Sequence, residues 1–487
     1  MRDFFNKIRS KYKVKDLIKN FIILWLIYAL ITGAFAFIIH KEVSPEYEAK
    51  SAAVDFYSDT YGPDRGILID DPLTSGVARL AIVRGAEKTL DVAYFAIEAG
   101  ETPNLFFASL LDAADRGVEV NLLLDGIFHG INKELRPMFY IFSLHPNMNL
   151  KFYEPLNPLM PWTFNNRMHD KFIIADNNYA IIGGRNIGDR FFAPEWHDKR
   201  ITNDRDIIII NTLPGDESSV INQMSAYFDE LWSHKYSRSI HKNILQVRYL
   251  LAVKKGSELK EKFTLVMEHN KEVLDQPVDL MELSFPTHKI SLIHNPITRF
   301  SKEPWCWYEL TRIMKNAQKS IFIQSPYVIL SQPMQKGYLN KEDFADIDVT
   351  ILTNSMGNTF NIPAFSSYLN HRKKIVDNGV TLYEYQAPDS LHTKTFAIDD
   401  DLLALGSFNL DPRSSFLSTE SMVVIHSPEA VTELKKGLTE YMEASLEVGR
   451  DYSYKQGGPV DAIIVHPFKK FALTLLSYLA RLFEYLF

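Results

Sequence analysis

Two short stretches carry residues able to do chemistry at a spacing that repeats. The first is M-H-D-K-F-I-I-A-D-N-N-Y-A-I-I-G-G-R-N over 168–186, and the second is L-H-T-K-T-F-A-I-D-D-D-L-L-A-L-G-S-F-N over 391–409. A single H-x-K is an ordinary alternating position on a strand, but here the whole pattern of His, Lys, Asp, Gly and Asn recurs at identical spacing. Residues two apart on a strand project from one face, which pairs His169 with Lys171 and His392 with Lys394. Asp176-Asn177-Asn178 and Asp399-Asp400-Asp401 are turn-forming clusters that close one strand and open the next. Each return strand ends in a glycine-led segment, so that Asn186 and Asn409 arrive beside the two pairs.

Two such sets facing each other across a pseudo-twofold axis would supply two imidazoles, two ammonium groups and two amides to one small anion. That equipment suits displacement at a phosphodiester. One imidazole nitrogen attacks phosphorus and forms a covalent phosphohistidine, dividing one hard step into two easier ones. The other imidazole, protonated, gives its proton to the leaving oxygen and later takes one from the incoming hydroxyl. The lysines and asparagines hold charge on the non-bridging oxygens in a site organised before reaction. A histidine pair with divided roles titrates as a pair and gives a bell-shaped rate profile.

The elements around the two sets also repeat. D-P-L-T-S-G-V-A-R-L-A-I-V-R-G-A-E-K-T-L-D-V-A-Y-F-A-I (71–97) is answered by N-P-I-T-R-F-S-K-E-P-W-C-W-Y-E-L-T-R-I-M-K-N-A-Q-K-S-I-F-I-Q-S-P-Y-V-I (295–329). Each is a proline-containing lead-in, an amphipathic helix and an alternating β run. V-E-V-N-L-L-L-D (118–125) answers I-D-V-T-I-L-T-N (347–354), and L-K-F-Y-E-P (150–155) answers V-T-L-Y-E-Y (380–385). Strand–helix alternation predicts an α/β fold of two homologous αβα sandwich lobes. The first lobe is expected over 45–240 and the second over 291–450, with the charged stretch 241–290 as connector.

Composition narrows the possibilities. An apolar fraction of 46% and a charged fraction of 23% describe a globular chain. One cysteine, Cys306, excludes an internal disulfide framework and a Cys-rich metal site. Residues 1–20 form a basic tail with a net charge of +5, so the rest carries −12 of the chain's −7. An acidic body is a poor match for long nucleic acids, whose binding neutralises many phosphates.

F-I-I-L-W-L-I-Y-A-L-I-T-G-A-F-A-F-I-I, residues 21–39, has no charged side chain and would span about 28 Å as a helix. It reads as a retained transmembrane helix, because the following H-K-E-V-S-P-E-Y-E offers no small-residue cleavage site. With the basic residues before it, the N-terminus is expected in the cytoplasm and the catalytic body outside the cell membrane. At the other end, residues 460–487 are expected to contain an amphipathic helix. Phe468, Ala472, Leu475, Leu479, Leu482 and Leu486 lie at three- and four-residue spacing. Such a helix either docks on the protein's own core or lies in the bilayer interface, and the sequence leaves both readings standing.

On these motifs the chain resembles the phospholipase D superfamily, with His169/Lys171/Asp176 and His392/Lys394/Asp399 as its repeated motif. The likeness covers most of residues 65–450. It is most similar to bacterial cardiolipin synthases, through R-M-H-D-K with G-G-R-N-I-G-D-R-F-F, and S-L-H-T-K-T-F-A-I-D-D with G-S-F-N-L-D-P-R-S and S-T-E. The resemblance implies His169 as nucleophile and His392 as general acid and base. It implies phosphate binding by Lys171, Lys394, Asn186 and Asn409, and a supportive role for Asp176 and Asp399. It also implies an acidic residue orienting each histidine: Glu420 fits in the second half, and aligning T-N-D-R-D-I-I-I with S-T-E-S-M-V-V-I gives Asp204 in the first. No metal or other cofactor is required. Asp170 between the first His and Lys, Ser418 ahead of Thr419, and a single anchor depart from the usual pattern.

The implied activity is transfer of a phosphatidyl group between phospholipids, with phosphatidylglycerol and phosphatidylethanolamine as the substrates in view. Hydrolysis by water uses the same residues, and the motifs do not separate the two outcomes. A membrane-tethered nuclease is disfavoured by the acidic body, and a scaffold without activity by two intact motifs. The stretch F-Y-E-P-L-N-P-L-M-P-W-T-F (152–164) reads either as an apolar lip over the membrane or as a proline-rich surface loop.

Overall fold

The computed structural model describes residues 14–240, 245–274, 279–336, 344 and 346–487. Most of the expected basic tail, residues 1–13, lies outside the described residues.

Two mixed sheets form from the apolar runs. The first half contributes β1 (Asp64–Ile69), β2 (Thr89–Tyr94), β3 (Glu119–Asp125), β4 (Met148–Tyr153), β5 (Lys171–Ala175), β6 (Tyr179–Gly183), β7 (Thr202–Asn203), β8 (Asp206–Asn211) and β9 (Ser237–Ser239). The connector adds β10 (Phe285–Pro286). The second half contributes β11 (Lys289–His294), β12 (Ser320–Gln324), β13 (Asp348–Asn354), β14 (Thr381–Tyr385), β15 (Ser390–Leu391), β16 (Thr395–Ile398), β17 (Leu402–Gly406), β18 (Ser421–His426) and β19 (Ser445–Glu447). The sheet orders are β10-β1-β8-β6-β5-β2-β3-β4-β9 and β11-β18-β17-β16-β12-β13-β14-β19. In both, three central strands run parallel, β2-β3-β4 and β12-β13-β14, and the remaining pairs are antiparallel. The lobes are therefore repeats in topology as well as in motif.

The longer helices among the described residues are α1 (Val14–Gly33), α2 (Pro72–Gly85), α3 (Glu101–Asp115), α4 (Val220–Ser233), α5 (Gln246–His269), α6 (Trp305–Lys315), α7 (Ile362–Asp377), α8 (Pro428–Glu443) and α9 (Pro467–Ala480). Strand alternation sends successive side chains to opposite faces. Ile173 and Ala175 pack outward under α2 and α3. Phe172 and Ile174 face the other lobe, in one core with Leu403, Leu405, Val423 and Ile425 and with residues of α4 and α8. The sheets thus share a buried layer, and burial of each such aliphatic side chain contributes about 1.5–3 kcal/mol. This layer fixes the position of one lobe on the other.

The connector holds a long helix, α5, whose Ala252, Leu259 and Phe263 join the outer core of the first lobe while its Lys and Glu side chains face water. Among the described residues α1 runs over Val14–Gly33, overlapping the apolar run 21–39. Lys15, Asp16 and Lys19 are compatible with a helix and extend it through the polar flank. Beyond Gly33 a 3-10 turn, Phe35–Phe37, carries Phe37 into the core of the second lobe. Phe37 therefore belongs to the body, while Phe35, Ile38 and Ile39 stay exposed. α1 itself buries no residue and is long and apolar enough to cross a membrane.

Candidate active site

Both His-x-Lys pairs stand at the entrance to a central strand. β5 begins at Lys171, and β16 begins just after Lys394. His169 and His392 are neither on the same lobe nor isolated, because the backbone beside each one bonds to the other half. His169 N donates to Thr419 O at 3.1 Å, and Thr419 N donates to Arg167 O at 2.9 Å. His392 N donates to Asn203 O at 2.7 Å, where β7 and β15 pair in parallel with Asn203 opposite Leu391.

The residue following each of these backbone contacts is a carboxylate. Glu420 Oε1 and Oε2 lie 2.9 and 3.0 Å from His169 Nδ1. Asp204 Oδ2 lies 2.6 Å from His392 Nδ1. Sequence alignment finds the two acids and assigns one to each half; the structure crosses them, so each half's carboxylate holds the other half's imidazole. The reason is the pairing between lobes at Thr419 and Asn203, which is tertiary. A carboxylate on Nδ1 fixes the ring and directs the free Nε2 into the site. The side chains keep 13% and 24% exposure for His169 and His392. Both can be reached.

The lysines complete the cluster. Lys171 Nζ donates to His169 O and lies 5.3 Å from the Phe95 ring centroid. Lys394 Nζ donates to His392 O, stands 2.8 Å from His392 Nδ1 and is 3.8 Å from Asp204 Oδ2. The shorter Asp204 contact takes the Nδ1 proton. Burial pushes Lys171 down to about 7 and Lys394 down to about 8, with Glu420 and Asp204 respectively the largest opposing charges. Burial and then Lys171 and Lys394 hold His169 well below its ordinary value. Burial and Lys394 push His392 down to about 3, against Asp204. Because Lys394 acts on His169 and Lys171 acts on His392, the two clusters form one electrostatic site. Four groups that prefer to shed a proton when crowded together are a receptor for an anion, whose charge offsets their repulsion.

The two carboxylates differ. Burial pushes Glu420 up to about 7, against Lys171 and the hydroxyl of Ser407. Burial also raises Asp204, but Lys394 and His392 outweigh it and hold the group below the usual carboxylate range. A glycine distinguishes their surroundings. A Cβ on Gly184 would lie 2.3 Å from Asp204 Oδ1, so that position must remain bare. Its counterpart in the second half is Ser407, whose hydroxyl bonds Glu420.

Asn186 and Asn409 lie just past β6 and β17 and are nearly buried. Their Oδ1 atoms have no partner among the described residues, although a buried amide ordinarily finds one. Asp176 and Asp399 are at the opposite end of their strands from the histidines. Asp176 accepts from the backbone N–H groups of Glu87, Lys88 and Thr89 at 2.7, 2.8 and 2.8 Å. Asp399 accepts from those of Gln318, Lys319 and Ser320 at 2.9, 2.7 and 2.9 Å. Both have positive φ, 53° and 51°, in the turn after β5 or β16. Both therefore tie the motif strand to the start of β2 or β12.

Several site residues escape the sequence reading. Phe95 stands edge-on to His169 at 4.9 Å between centroids, and Phe191 likewise to His392 at 5.7 Å. Asp170, the unexpected acid between His169 and Lys171, is buried and accepts from Thr419 Oγ1 and from Tyr227 OH at 3.2 Å. It therefore faces the lobe interface and helps seat Thr419. Arg413, within the quoted G-S-F-N-L-D-P-R-S, is an additional cation acting on His169. Its place in that motif was the available signal.

With this geometry in view, comparison with known proteins is decisive at the level of family. The model for the cardiolipin synthase PLD-like domain matches twice, over residues 80–232 and 310–442, more than half of the chain. The chain belongs to the phospholipase D-like cardiolipin synthase family. Cardiolipin synthase C of Escherichia coli is 29% identical over 405 residues, covering 74% of this chain and 80% of its own. An uncharacterized protein of Helicobacter pylori is 28% identical over 414 residues, covering 78% and 79%. The solved phosphatidylserine synthase of Haemophilus influenzae superposes with a TM-score of 0.61 over 91% of this chain and 100% of that one. Its sequence identity is 13%, and it shares the fold.

Proposed function

We propose that this protein is a membrane-anchored phosphatidyltransferase of cardiolipin synthase type, acting through a phosphohistidine on His169. The observation that carries the reading is the crossed pair: two imidazoles, each held at Nδ1 by the opposite half's carboxylate and each with the lysine two residues on bonded to its own backbone carbonyl. Substrates are phosphatidylglycerol and phosphatidylethanolamine. α1 is the anchor, and the basic residues before it put the N-terminus in the cytoplasm and the body outside.

His169 Nε2 attacks the phosphorus of the donor lipid, and the bond from phosphorus to the headgroup oxygen breaks. His392, protonated, gives its Nε2 proton to that oxygen. The ring of His169 gains positive charge as the P–N bond forms, and Glu420 on its Nδ1 shares that charge. The hydroxyl of phosphatidylglycerol then loses its proton to His392 while its oxygen attacks phosphorus, the P–N bond breaks, and cardiolipin leaves. Lys171, Lys394, Asn186 and Asn409 hold the non-bridging oxygens throughout.

The unequal carboxylates support this division of roles. Asp204, held ionised, favours the imidazolium form of His392. Glu420, pushed up to about 7, leaves His169 neutral and nucleophilic. Arrival of the phosphodiester anion raises the pKa of His392 from its lowered value, because the Lys394 charge is then shared with the anion.

The test uses purified full-length protein in mixed phosphatidylethanolamine and phosphatidylglycerol vesicles. Cardiolipin as the main product supports transfer. Phosphatidic acid as the main product shows hydrolysis, and cleavage of single-stranded DNA without lipid turnover shows a nuclease.

A further inference from the structure

Helix α9 is fastened to the second lobe by one face. Leu473 is fully buried, Ser477 and Ala480 are nearly so, and Asn370 of α7 donates its side-chain amide to Ser477 O at 2.9 Å. The opposite face is covered by nothing among the described residues. Ile464, Phe468 and Phe471 are 96%, 73% and 64% exposed, and Leu475, Leu479 and Leu482 continue the row. Phe468, Phe471, Leu475 and Leu479 follow one another at three and four residues and form a stripe down the helix, with Ile464 just before it and Leu482 just after. Lys470 and Arg481 are exposed near its ends. Singly exposed apolar residues need no explanation, but a row of four down one helix, with Ile464 and Leu482 beyond its ends, marks an interaction surface.

The stripe is joined to the anchor by a short chain of bonds. The 3-10 turn after α9 ends at Leu486 and Phe487, whose carbonyls accept from Arg413 Nε at 2.9 Å and Arg413 N at 2.6 Å. Arg413 Nη2 donates to Asn165 Oδ1 at 3.1 Å, and Asn165 Nδ2 donates to Gly33 O, the last residue of α1, at 2.6 Å. The loop before Asn165 climbs along α1: Trp25 Nε1 donates to Pro158 O at 3.1 Å and Tyr28 OH to Leu159 O at 2.9 Å. Trp25 is eight residues inside the end of α1, about 12 Å along its axis. A loop held at that depth carries exposed Leu156 and Leu159.

From this continuity we infer that α9 is a membrane-interface helix, its apolar stripe set in the acyl–headgroup boundary on the side of the bilayer where α1 emerges. The occupant of the stripe is lipid. Three apolar surfaces, α1, the 156–159 loop and α9, meet around Asn165 and Arg413, and Arg413 is the same residue whose charge reaches His169. An anionic leaflet would attract Lys470 and Arg481 at the stripe's edges. The arrangement holds the mouth of the site against the bilayer, so a phosphodiester need not leave the headgroup plane to be attacked. The inference rests on the proposed lipid substrate for its purpose, and on geometry alone for its location.

The test therefore separates the two. Cys306 is the one cysteine and is buried, so a single new thiol can be labelled in the full-length chain. Phe471→Cys, Ile23→Cys in α1 and Lys435→Cys on α8 are each made in a His169→Ala background, labelled with an environment-sensitive fluorophore and placed in phosphatidylglycerol–phosphatidylethanolamine nanodiscs containing spin-labelled lipid. The inference expects lipid quenching at 471 and 23 and none at 435. It is overturned if 471 stays accessible to aqueous iodide in the nanodiscs, or is shielded from iodide yet not quenched by the spin-labelled lipid, which would mean that protein covers the stripe. In an otherwise unchanged chain, Phe471→Glu with Leu475→Glu should lower turnover of vesicle lipid about tenfold and spare a soluble short-chain phospholipid. Equal losses on both substrates would contradict it. Failure of the wild type to turn over either lipid rejects the proposed function and leaves the quenching result to judge the helix.

Discussion

His169 Nδ1 lies 2.9 Å from Glu420 Oε1, a carboxylate 251 residues away in the other lobe, and the reciprocal contact joins His392 to Asp204 at 2.6 Å. Neither lobe therefore contains a finished histidine–carboxylate unit. Each completes the other, which gives a duplicated fold a reason to remain fused or closely paired.

The crossing predicts a pattern of coupling. Glu420→Gln and Asp204→Asn should each lower kcat on the order of 10²-fold, because the ring loses its fixed tautomer. In a His169→Asn background Glu420→Gln should cost nothing further, whereas the effect of Asp204→Asn should be absorbed by His392→Asn. Turnover measured across these double-mutant cycles checks the assignment. Coupling of Asp204 to His169 in place of His392 would show that the pairs do not cross.

Gly184→Ala tests the space that Asp204 needs. A Cβ there meets Asp204 Oδ1 at 2.3 Å, so the carboxylate must shift from His392. The expected outcome is a fall in kcat of roughly tenfold, less than Asp204→Asn, with thermal stability lowered by about 1–3 kcal/mol. Steady-state kinetics and calorimetry on one preparation check both.

Anion binding should weaken as pH rises. Lys171 and Lys394, buried and pushed down to about 7 and about 8, are charged below those values and neutral above them. Inhibition by inorganic phosphate or a non-hydrolysable phosphodiester should therefore fall between pH 6.5 and 9, approaching roughly a tenfold change per pH unit for each lysine that must be protonated. Corrected for the inhibitor's own ionisation, a constant affinity across that window would contradict the placement of two buried ammonium groups on the anion.

Asp176→Ala should act on stability and leave chemistry alone. Three backbone N–H groups lose their acceptor. The expected loss is about 2–3 kcal/mol, read as a lower denaturation midpoint, with kcat of the remaining folded enzyme within about twofold of wild type. Asp399→Ala should behave alike.

Much of the site was legible because its chemistry sits in short, repeated strings. His169, Lys171, His392, Lys394 and the two asparagines follow from spacing, and the two lobes follow from matched strand and helix runs. The pairing of Glu420 with His169 was not legible, since it depends on backbone bonds from Arg167 and His169 to Thr419 that no local pattern encodes. The place of Phe37 was not legible for a related reason: Phe35 to Phe37 is as apolar as the preceding helix, and only packing reveals that Phe37 belongs to the second lobe's core. Helix α9 sets one face on α7 and leaves the other bare, an arrangement that apolar spacing alone does not specify.

The most direct measurement of the central claim is intact-protein mass spectrometry of His392→Asn after exposure to mixed phospholipid vesicles, with peptide mapping of the adduct. The account predicts a phosphatidyl group accumulating on His169, because its attack continues at a reduced rate without the acid while no neutral imidazole at 392 remains to take the acceptor's proton, and no adduct on His169→Asn. An adduct that appears only in the His169→Asn variant, on His392, would contradict it.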